Sequence, residues 1–145
     1  MPAAPGREPP PLRRVLETGL YVADLDRSAA FYEGVLGLRP MRADARFIAY
    51  AVGDTVLLLF RHGTAEAALA LPFGGEIPPH GAQGRAHFAF AVAADDISAW
   101  RAHLAASKVP IEGEVHWPKG SVSLYFRDPD GHLAEIASPG LWDNY

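Results

Sequence analysis

Three side chains of types that bind divalent metal ions lie at matching points of the sequence: Glu17, His87 and Glu135. Glu17 opens the string Glu-Thr-Gly-Leu-Tyr-Val, and His87 opens the similar string His-Phe-Ala-Phe-Ala-Val seventy residues later. Each string is typical of a strand that runs into a helix, so the chain carries a repeated unit with a candidate ligand at the same point of each copy. Two carboxylates and an imidazole suit Fe(II), Mn(II), Ni(II) or Zn(II) with positions left open for a substrate, without selecting one metal.

Alternation along the strands predicts that these three residues share the sheet face that is turned away from the core. In the second repeat the bulky Phe88 and Phe90 belong to the core, which places His87 on the opposite face. The same reasoning places Glu17 and Glu135 on that face, among small side chains that leave a hollow. The ordinary alternatives are a histidine that serves as a hydrogen-bonded structural group and glutamates on a solvated face.

Further side chains on this face are candidates for contact with a substrate. Tyr125 is the candidate catalytic group, because it could relay a proton or orient substrate together with Ser123; the alternative is an ordinary tyrosine in a cavity wall. Arg127 could bind a substrate anion, or it could cap the hairpin turn that follows it. The predicted substrate-binding residues are Tyr21, Trp117, Ser123, Tyr125 and Arg127.

The remaining histidines carry less information. His62 and His116 sit near predicted strand ends, from which they could reach the pocket. The other three are predicted to be surface or loop residues: His80, His103 and His132.

Two tandem βαβββ modules are the simplest organisation that places these residues, and chance similarity between two strand–helix pairs is the alternative. We predict a flexible tail over residues 1–14 and a single domain over residues 15–145. Within that domain, module one covers about 15–62, a glycine- and proline-rich linker or lid covers 63–84, module two covers about 85–138, and a tail covers 139–145. The lid is expected to hold one helical turn near residues 66–71. Asp24 or Asp26 is expected to cap the first helix, and Asp95 or Asp96 the second.

Composition excludes several classes of protein. The chain has 145 residues, no cysteine and a net charge of −4. These values exclude disulfides and cysteine chemistry, and they argue against a nucleic-acid binder, which would show a basic stripe. No apolar run approaches the roughly 18 residues that span a membrane, and the first residues lack the apolar region of a secretory signal. A cytoplasmic protein is therefore the default expectation.

The first repeat resembles the first module of the vicinal oxygen chelate superfamily. The resemblance lies in the string Val22-Ala23-Asp24-Leu25 and in the pair Phe31-Tyr32. That superfamily holds glyoxalase I, extradiol dioxygenases, fosfomycin-resistance enzymes and bleomycin-binding proteins. The second repeat and the segment from Leu124 to Glu135, with its Asp-Pro-Asp-Gly-His turn, resemble the second module. The resemblance implies an α+β fold in which the two modules form an open, cup-shaped mixed β-sheet around a divalent metal ion.

The resemblance also implies a ligand set. The superfamily's metal-binding positions fall on Glu17, His87 and Glu135; the first is most often histidine in the superfamily. A fourth ligand would fall on Leu57 or Leu58, neither of which can bind a metal. Three protein ligands resemble the dioxygenase and fosfomycin-resistance branches more than glyoxalase I, which has four.

We therefore expect a metal-dependent lyase, dioxygenase or transferase whose small substrate binds the ion through neighbouring oxygens. The alternative is a drug-binding protein of the bleomycin-resistance type, with an aromatic pocket and no metal. The resemblance implies a homodimer, in which the two modules around one site come either from one chain or from two.

Overall fold

The computed structural model describes Gly6 and residues 8–145, so residues 1–5 and 7 of the predicted tail lie outside the described residues. The chain folds as two βαβββ units. The first contains β1 (Glu17–Val22), α1 (Leu25–Gly34), β2 (Arg39–Ala43), β3 (Phe47–Val52) and β4 (Thr55–Arg61). The second contains β7 (His87–Ala91), α2 (Ile97–Ala106), β8 (Gly113–His116), β9 (Val122–Arg127) and β10 (Leu133–Ala137).

The two units have the same sheet topology, which confirms the predicted α+β class and the tandem repeat. The strand orders are β1-β4-β3-β2 and β7-β10-β9-β8. In each sheet the first strand pairs in parallel with the last strand of its own unit, and the remaining pairs are antiparallel. Within the described residues, no helix is long and apolar enough to cross a membrane.

The segment between the units forms a small hairpin, so the predicted helical turn near residues 66–71 is wrong. β5 (Leu69–Ala70) pairs with β6 (Glu76–Ile77) in antiparallel fashion. Gly74 and Gly75 supply the reversal with φ of 100° and 87°, a backbone conformation that glycine adopts without steric strain. The strand pairing gives hydrogen-bond partners to backbone N–H and C=O groups that a single helical turn would leave without partners.

The helix starts agree only in part with the predicted caps. The Asp24 carboxylate accepts a hydrogen bond from the Arg27 amide at 3.1 Å, so Asp24 caps α1 as predicted. Asp96 occupies the corresponding position before α2, but its carboxylate makes no capping bond among the described residues. A short 3-10 turn over Ala94–Asp96 leads into α2 instead, and the predicted side-chain cap is wrong there.

One hydrophobic core serves both sheets. Leu20 and Leu59 enter it from the first sheet, Phe126 and Ile136 enter it from the second, and the helices supply further residues such as Tyr32. Each sheet therefore buries one face against the other unit and turns its second face away from the common core. The candidate site residues lie on those outer faces.

A buried histidine joins the two units across this core. His132 is only 3% exposed. Its Nδ1 accepts a hydrogen bond from the Ala86 amide at 2.8 Å, and its Nε2 lies 2.8 Å from the carbonyl oxygen of Tyr21. Because that carbonyl only accepts, Nε2 carries the proton and donates it. His132 lies in the loop between β9 and β10, as predicted, but it is buried there, because the turn that carries it packs against the first unit.

Two aspartates of the same turn make further hydrogen bonds between the two units. Tyr32 donates its hydroxyl proton to Asp128 at 2.7 Å, and burial together with the Asp128 charge raises the pKa of Tyr32. Asp130 accepts from the Ala23 amide at 2.8 Å and from Arg27 at 3.1 Å. A buried polar network in which each group has a partner fixes the relative position of the two units.

We expect His132→Ala to lower the free energy of unfolding by about 2–3 kcal/mol, because it leaves the Ala86 amide and the Tyr21 carbonyl without their partner. Urea denaturation followed by circular dichroism measures the change. His62→Ala is the matched control: this histidine is exposed, and its removal should change stability by less than about 0.5 kcal/mol. Equal effects of the two substitutions would contradict the bridging role of His132.

Candidate functional site

A histidine and a glutamate face each other on the outer face of the second sheet. β7 and β10 are adjacent and parallel, with Leu133 opposite His87 and Glu135 opposite Ala89. The His87 Nε2 lies 3.2 Å from the Glu135 Oε1. The other ring nitrogen, Nδ1, lies 2.9 Å from the Leu133 carbonyl oxygen, which can only accept. Nδ1 therefore donates to this carbonyl, which leaves Nε2 as the ring nitrogen that faces the carboxylate.

A chain of hydrogen bonds holds Glu135 in this orientation. The Ser123 hydroxyl donates to Oε2 of Glu135 at 2.6 Å, and the Trp117 indole nitrogen donates to the Ser123 oxygen at 2.8 Å. The Glu135 side chain is only 5% exposed. One carboxylate oxygen is thus tied to the sheet, while the other remains directed at the imidazole.

The pair fits two ligands of one divalent ion. Nitrogen and oxygen ligands with bonds of about 2.0–2.2 Å stand about 3.0–3.4 Å apart at octahedral or tetrahedral angles, and the observed separation falls in that range. The hydrogen bonds from His87 to a backbone carbonyl and from Ser123 to Glu135 are of the kind that orient metal ligands. An imidazolium–carboxylate pair suits the same geometry when no ion is bound.

Glu17, the third predicted ligand, lies on the outer face of the other sheet. It is exposed and lines a cavity of about 630 Å³ between the first sheet and residues 64–80. Among the residues that the structure describes, no group of three or more metal-binding side chains comes together in one chain. A single chain thus joins His87 to Glu135 but leaves Glu17 apart from them, and the three-ligand set stays a prediction.

The internal repeat identifies the position of the first sheet that corresponds to Glu135. In the second sheet Glu135 pairs with Ala89, two residues beyond His87. In the first sheet Leu58 pairs with Gly19, two residues beyond Glu17. Leu58 is therefore the structural counterpart of Glu135, and it lines the cavity, whereas Leu57 is buried in the core. The first module offers one metal-binding side chain at these positions, and the second module offers two.

Tyr125 adjoins the His87–Glu135 pair. It lies opposite Glu135 in the β9–β10 register, and its ring centroid is 6.2 Å from that of His87. Burial, followed by the negative charge of Glu135, raises the pKa of Tyr125 above the ordinary value of a tyrosine. At neutral pH the phenol therefore keeps its proton and can act as a hydrogen-bond or proton donor.

The other predicted substrate-binding residues divide between the two sheets. Trp117 and Ser123 lie beside the pair, whereas Tyr21 lies on the first sheet, where its hydroxyl is hydrogen-bonded to His80 Nδ1. Arg127 is already engaged: its Nε donates to Glu112 at 2.6 Å and its Nη1 donates to the Gly131 carbonyl at 3.1 Å. Their contact with a substrate stays a prediction.

Of the two histidines predicted to reach the pocket, neither joins the His87–Glu135 pair. His62 lies in the turn that follows β4, with its ring centroid 6.5 Å from that of Tyr21. His116 is hydrogen-bonded to Glu114 at 2.8 Å.

Sequence reasoning missed four polar residues that line the cavity: Arg42, Arg46, Thr64 and His80. Arg42 and Arg46 precede and follow the turn between β2 and β3, and nothing in their spacing marks them as part of a site. His80 belongs to the lid, and its amide closes that segment by donating to the Ala65 carbonyl at 2.8 Å.

Comparison with known proteins agrees with this architecture. The sequence profile of the Glyoxalase/Bleomycin resistance protein/Dioxygenase superfamily matches residues 14–136. The chain belongs to this superfamily. Lactoylglutathione lyase of Haemophilus influenzae is 32% identical over 133 residues, which cover 85% of this chain and 90% of that protein. Metallothiol transferase FosB of Lysinibacillus sphaericus is 31% identical over 124 residues, covering 84% and 79%.

A solved member of the superfamily shows the same fold. The crystal structure of lactoylglutathione lyase from Agrobacterium tumefaciens matches with a TM-score of 0.82 and 34% identity, covering 92% of this chain and 99% of that one. The predicted superfamily and its open-sheet fold are thereby confirmed. These three relatives are enzymes, which supports the prediction that this superfamily member is an enzyme too.

We expect Glu135→Gln to lower the pKa of Tyr125 toward the ordinary value, because the substitution removes the negative charge that disfavours the phenolate while burial remains. An NMR titration of carbon-13-labelled tyrosine rings measures the shift, and Tyr125→Phe identifies the resonance. Glu114→Gln, which removes an acidic group paired with Arg101 and His116, should leave it unchanged. An unaltered titration in Glu135→Gln would contradict the electrostatic coupling.

Proposed function

We propose that this protein is a divalent-metal-dependent enzyme acting on a small substrate that binds the ion through two neighbouring oxygens. The observation that carries the proposal is the 3.2 Å approach of His87 Nε2 to Glu135 Oε1, with the second polar atom of each side chain fixed by the protein. When bound there, the metal supplies Lewis-acid stabilisation of a substrate oxyanion, or redox chemistry if it is redox-active.

In the proposed enzyme, Glu17 of a second copy supplies the third ligand in a symmetric homodimer. Two features support this. β1 and β7 are edge strands of their sheets, so the strands that carry Glu17 and His87 each have one side open for an approaching chain. Near Glu17 the surface also carries the exposed apolar side chains of Val15 and Leu16, which precede it in the chain. A twofold axis would create two such sites from one contact.

The chain's own residues then have distinct roles. Trp117 and Ser123 are positioning residues, because they hold the Glu135 carboxylate without reaching the open side of the pair. Tyr125 is the proposed catalytic residue: it keeps its proton at neutral pH and lies on the same face, from which it can donate to a substrate oxygen.

The ligand set favours transferase or dioxygenase chemistry over the lyase reaction of glyoxalase I. Leu58 stands where the repeat would place a fourth ligand, so the proposed set has three side chains and leaves more positions for substrate. One relative is named a metallothiol transferase, and two are named lactoylglutathione lyases. In choosing the reaction class we give the donor atoms at the site more weight than sequence identity over the whole chain, because one fold serves many reactions.

A second candidate function is sequestration of a small molecule without catalysis. The cavity beside Glu17 favours it, since about 630 Å³ is enough for a drug-sized ligand and most of its lining residues are apolar. In that case His87 and Glu135 would form an ion pair with no metal role.

We expect protein purified without chelator or nickel resin to contain a stoichiometric divalent metal, measured by plasma emission spectroscopy. His87→Ala and Glu135→Ala should abolish it, because each removes a ligand. Ser123→Ala should weaken metal affinity about 10–100-fold, the usual effect of losing a group that orients a ligand.

Arg127→Ala is the control, because Arg127 lies on the same strand as Ser123 but contacts Glu112 and the hairpin turn. It should keep the metal content of the original protein. Metal-free protein that binds small molecules equally well with and without His87 would overturn the enzyme and support sequestration.

A complementation experiment tests whether Glu17 comes from a second copy. Glu17→Ala and His87→Ala variants are mixed under conditions that exchange subunits, and metal content is measured. A shared site predicts recovery of about a quarter of the original content, because half of the exchanged dimers are mixed and half of their sites are intact. A site within one chain predicts no recovery, since every chain then lacks one ligand. Native mass spectrometry confirms that the mixed dimers have formed.

A further inference from the structure

The cavity against the first sheet runs from a carboxylate at one edge to arginines at the other. Glu17 lies on β1, and Arg42 lies on β2, the strand at the opposite edge. Arg46 lines the same end of the cavity. Because Glu17 marks the metal end, a ligand of this cavity would be the substrate of the proposed enzyme, and its assignment rests on that proposed function.

Cross-strand register defines part of the floor, in a row that runs from Arg42 to β1 and meets β1 two residues beyond Glu17. Arg42 pairs with Ala49, Ala49 pairs with Leu58, and Leu58 pairs with Gly19, so these residues form one row across the four strands. The row spans three strand spacings, about 14 Å between the outer backbones. Ala49 is small and lines the cavity, whereas the Phe60 ring covers Gly19 at the β1 end of the row.

Most of the remaining lining is apolar, and Thr64 and His80 are its polar members. Phe47 and Phe60 form one end wall, with ring centroids 6.0 Å apart. The lid covers the row with alanine, leucine, isoleucine and proline side chains: Ala65, Ala67, Ala68, Leu69, Ile77 and Pro78. Such a surface favours hydrocarbon over polar groups.

The two arginines differ in their availability. Arg46 pairs with Asp44 at 3.2 Å, which offsets much of its charge. Arg42 makes no ion pair with any of the residues that the structure describes. An uncompensated guanidinium beside apolar surface is suited to bind a planar anionic group through paired hydrogen bonds.

We propose that the substrate is an elongated organic anion. Its metal-binding oxygens lie at the Glu17 end, its apolar body lies over Ala49 and Leu58 beneath the lid, and a carboxylate or similar anionic group meets Arg42. The chemical class is thus a medium-length apolar chain or ring with a chelating head and an anionic tail.

Titrations of the metal-free protein test how it binds the anionic tail and the apolar body of the proposed substrate, without the metal-binding head. Isothermal titration calorimetry compares 4-phenylbutyrate with its neutral amide, 4-phenylbutyramide. We expect the carboxylate to bind at least about tenfold more tightly, as a charge-assisted hydrogen bond allows. Arg42→Ala should remove that preference while leaving the amide's affinity unchanged. Arg39→Ala, on the same strand but outside the cavity lining, should preserve it.

Metal-loaded protein tests both ends together. The monohydroxamic acids of adipate and suberate carry a chelating head and a carboxylate tail, and their methyl esters lack the tail charge. We expect the acids to bind more tightly than the esters in the original protein and equally in Arg42→Ala. Hydroxamates that bind without any preference for the acid would overturn the inference and leave the metal site intact. The metal-free protein could instead prefer the carboxylate while the metal-loaded protein shows no metal-dependent binding of hydroxamates. That result would support the anion site at Arg42 and overturn the proposed enzyme.

Discussion

The structure depends on one shared hydrophobic core. Each four-stranded sheet has two faces, and the chain buries one face of each sheet against both helices in a single cluster. This arrangement removes most apolar surface from water within one chain. It also turns both outer faces away from the common core, and those are the faces that carry the candidate ligands. The separation of Glu17 from His87 and Glu135 is thus a consequence of how the chain buries its apolar side chains.

Much of this could be predicted from the sequence. Period-two alternation assigns side chains to sheet faces, and the bulky residues Leu20, Leu124 and Ile136 are in the core as expected. The seventy-residue offset between Glu17 and His87 indicates a repeat, and the equal strand orders of the two sheets bear it out. These inferences depend on the local geometry of each strand, which is the same wherever its sheet lies in the molecule.

The relative placement of the sheets could not be predicted in the same way. Alternation states which face a residue occupies, but it does not state which faces of two sheets meet. His132 shows the limit: in a turn of aspartate, proline and glycine it has the sequence context of an exposed residue, yet it bridges Ala86 and Tyr21 across the two units. The lid hairpin is similar, because its two-residue strands are too short to show a period.

The hydrogen bonds of the site also redefine a predicted role. The sequence places Ser123 on the same face as Glu135 and so predicts contact with a substrate. In the structure the Ser123 hydroxyl is committed to the carboxylate, with Trp117 donating to it in turn. A sequence shows that a hydroxyl and a carboxylate share a face, but only the structure shows that one orients the other.

In the proposed dimer, metal binding and association are linked by electrostatics. Bringing Glu17 of a second copy to the His87–Glu135 pair places two carboxylates in one site, and like charges at short distance oppose each other. A divalent cation removes that repulsion and is held by all three side chains, so it binds the paired chains better than separate ones. Any ligand that binds one state preferentially stabilises that state, and the ion therefore stabilises the dimer by the difference between its binding free energies to paired and to separate chains. Apolar contact near Val15 and Leu16 would bring the chains together, and the cation would determine how closely Glu17 approaches the His87–Glu135 pair.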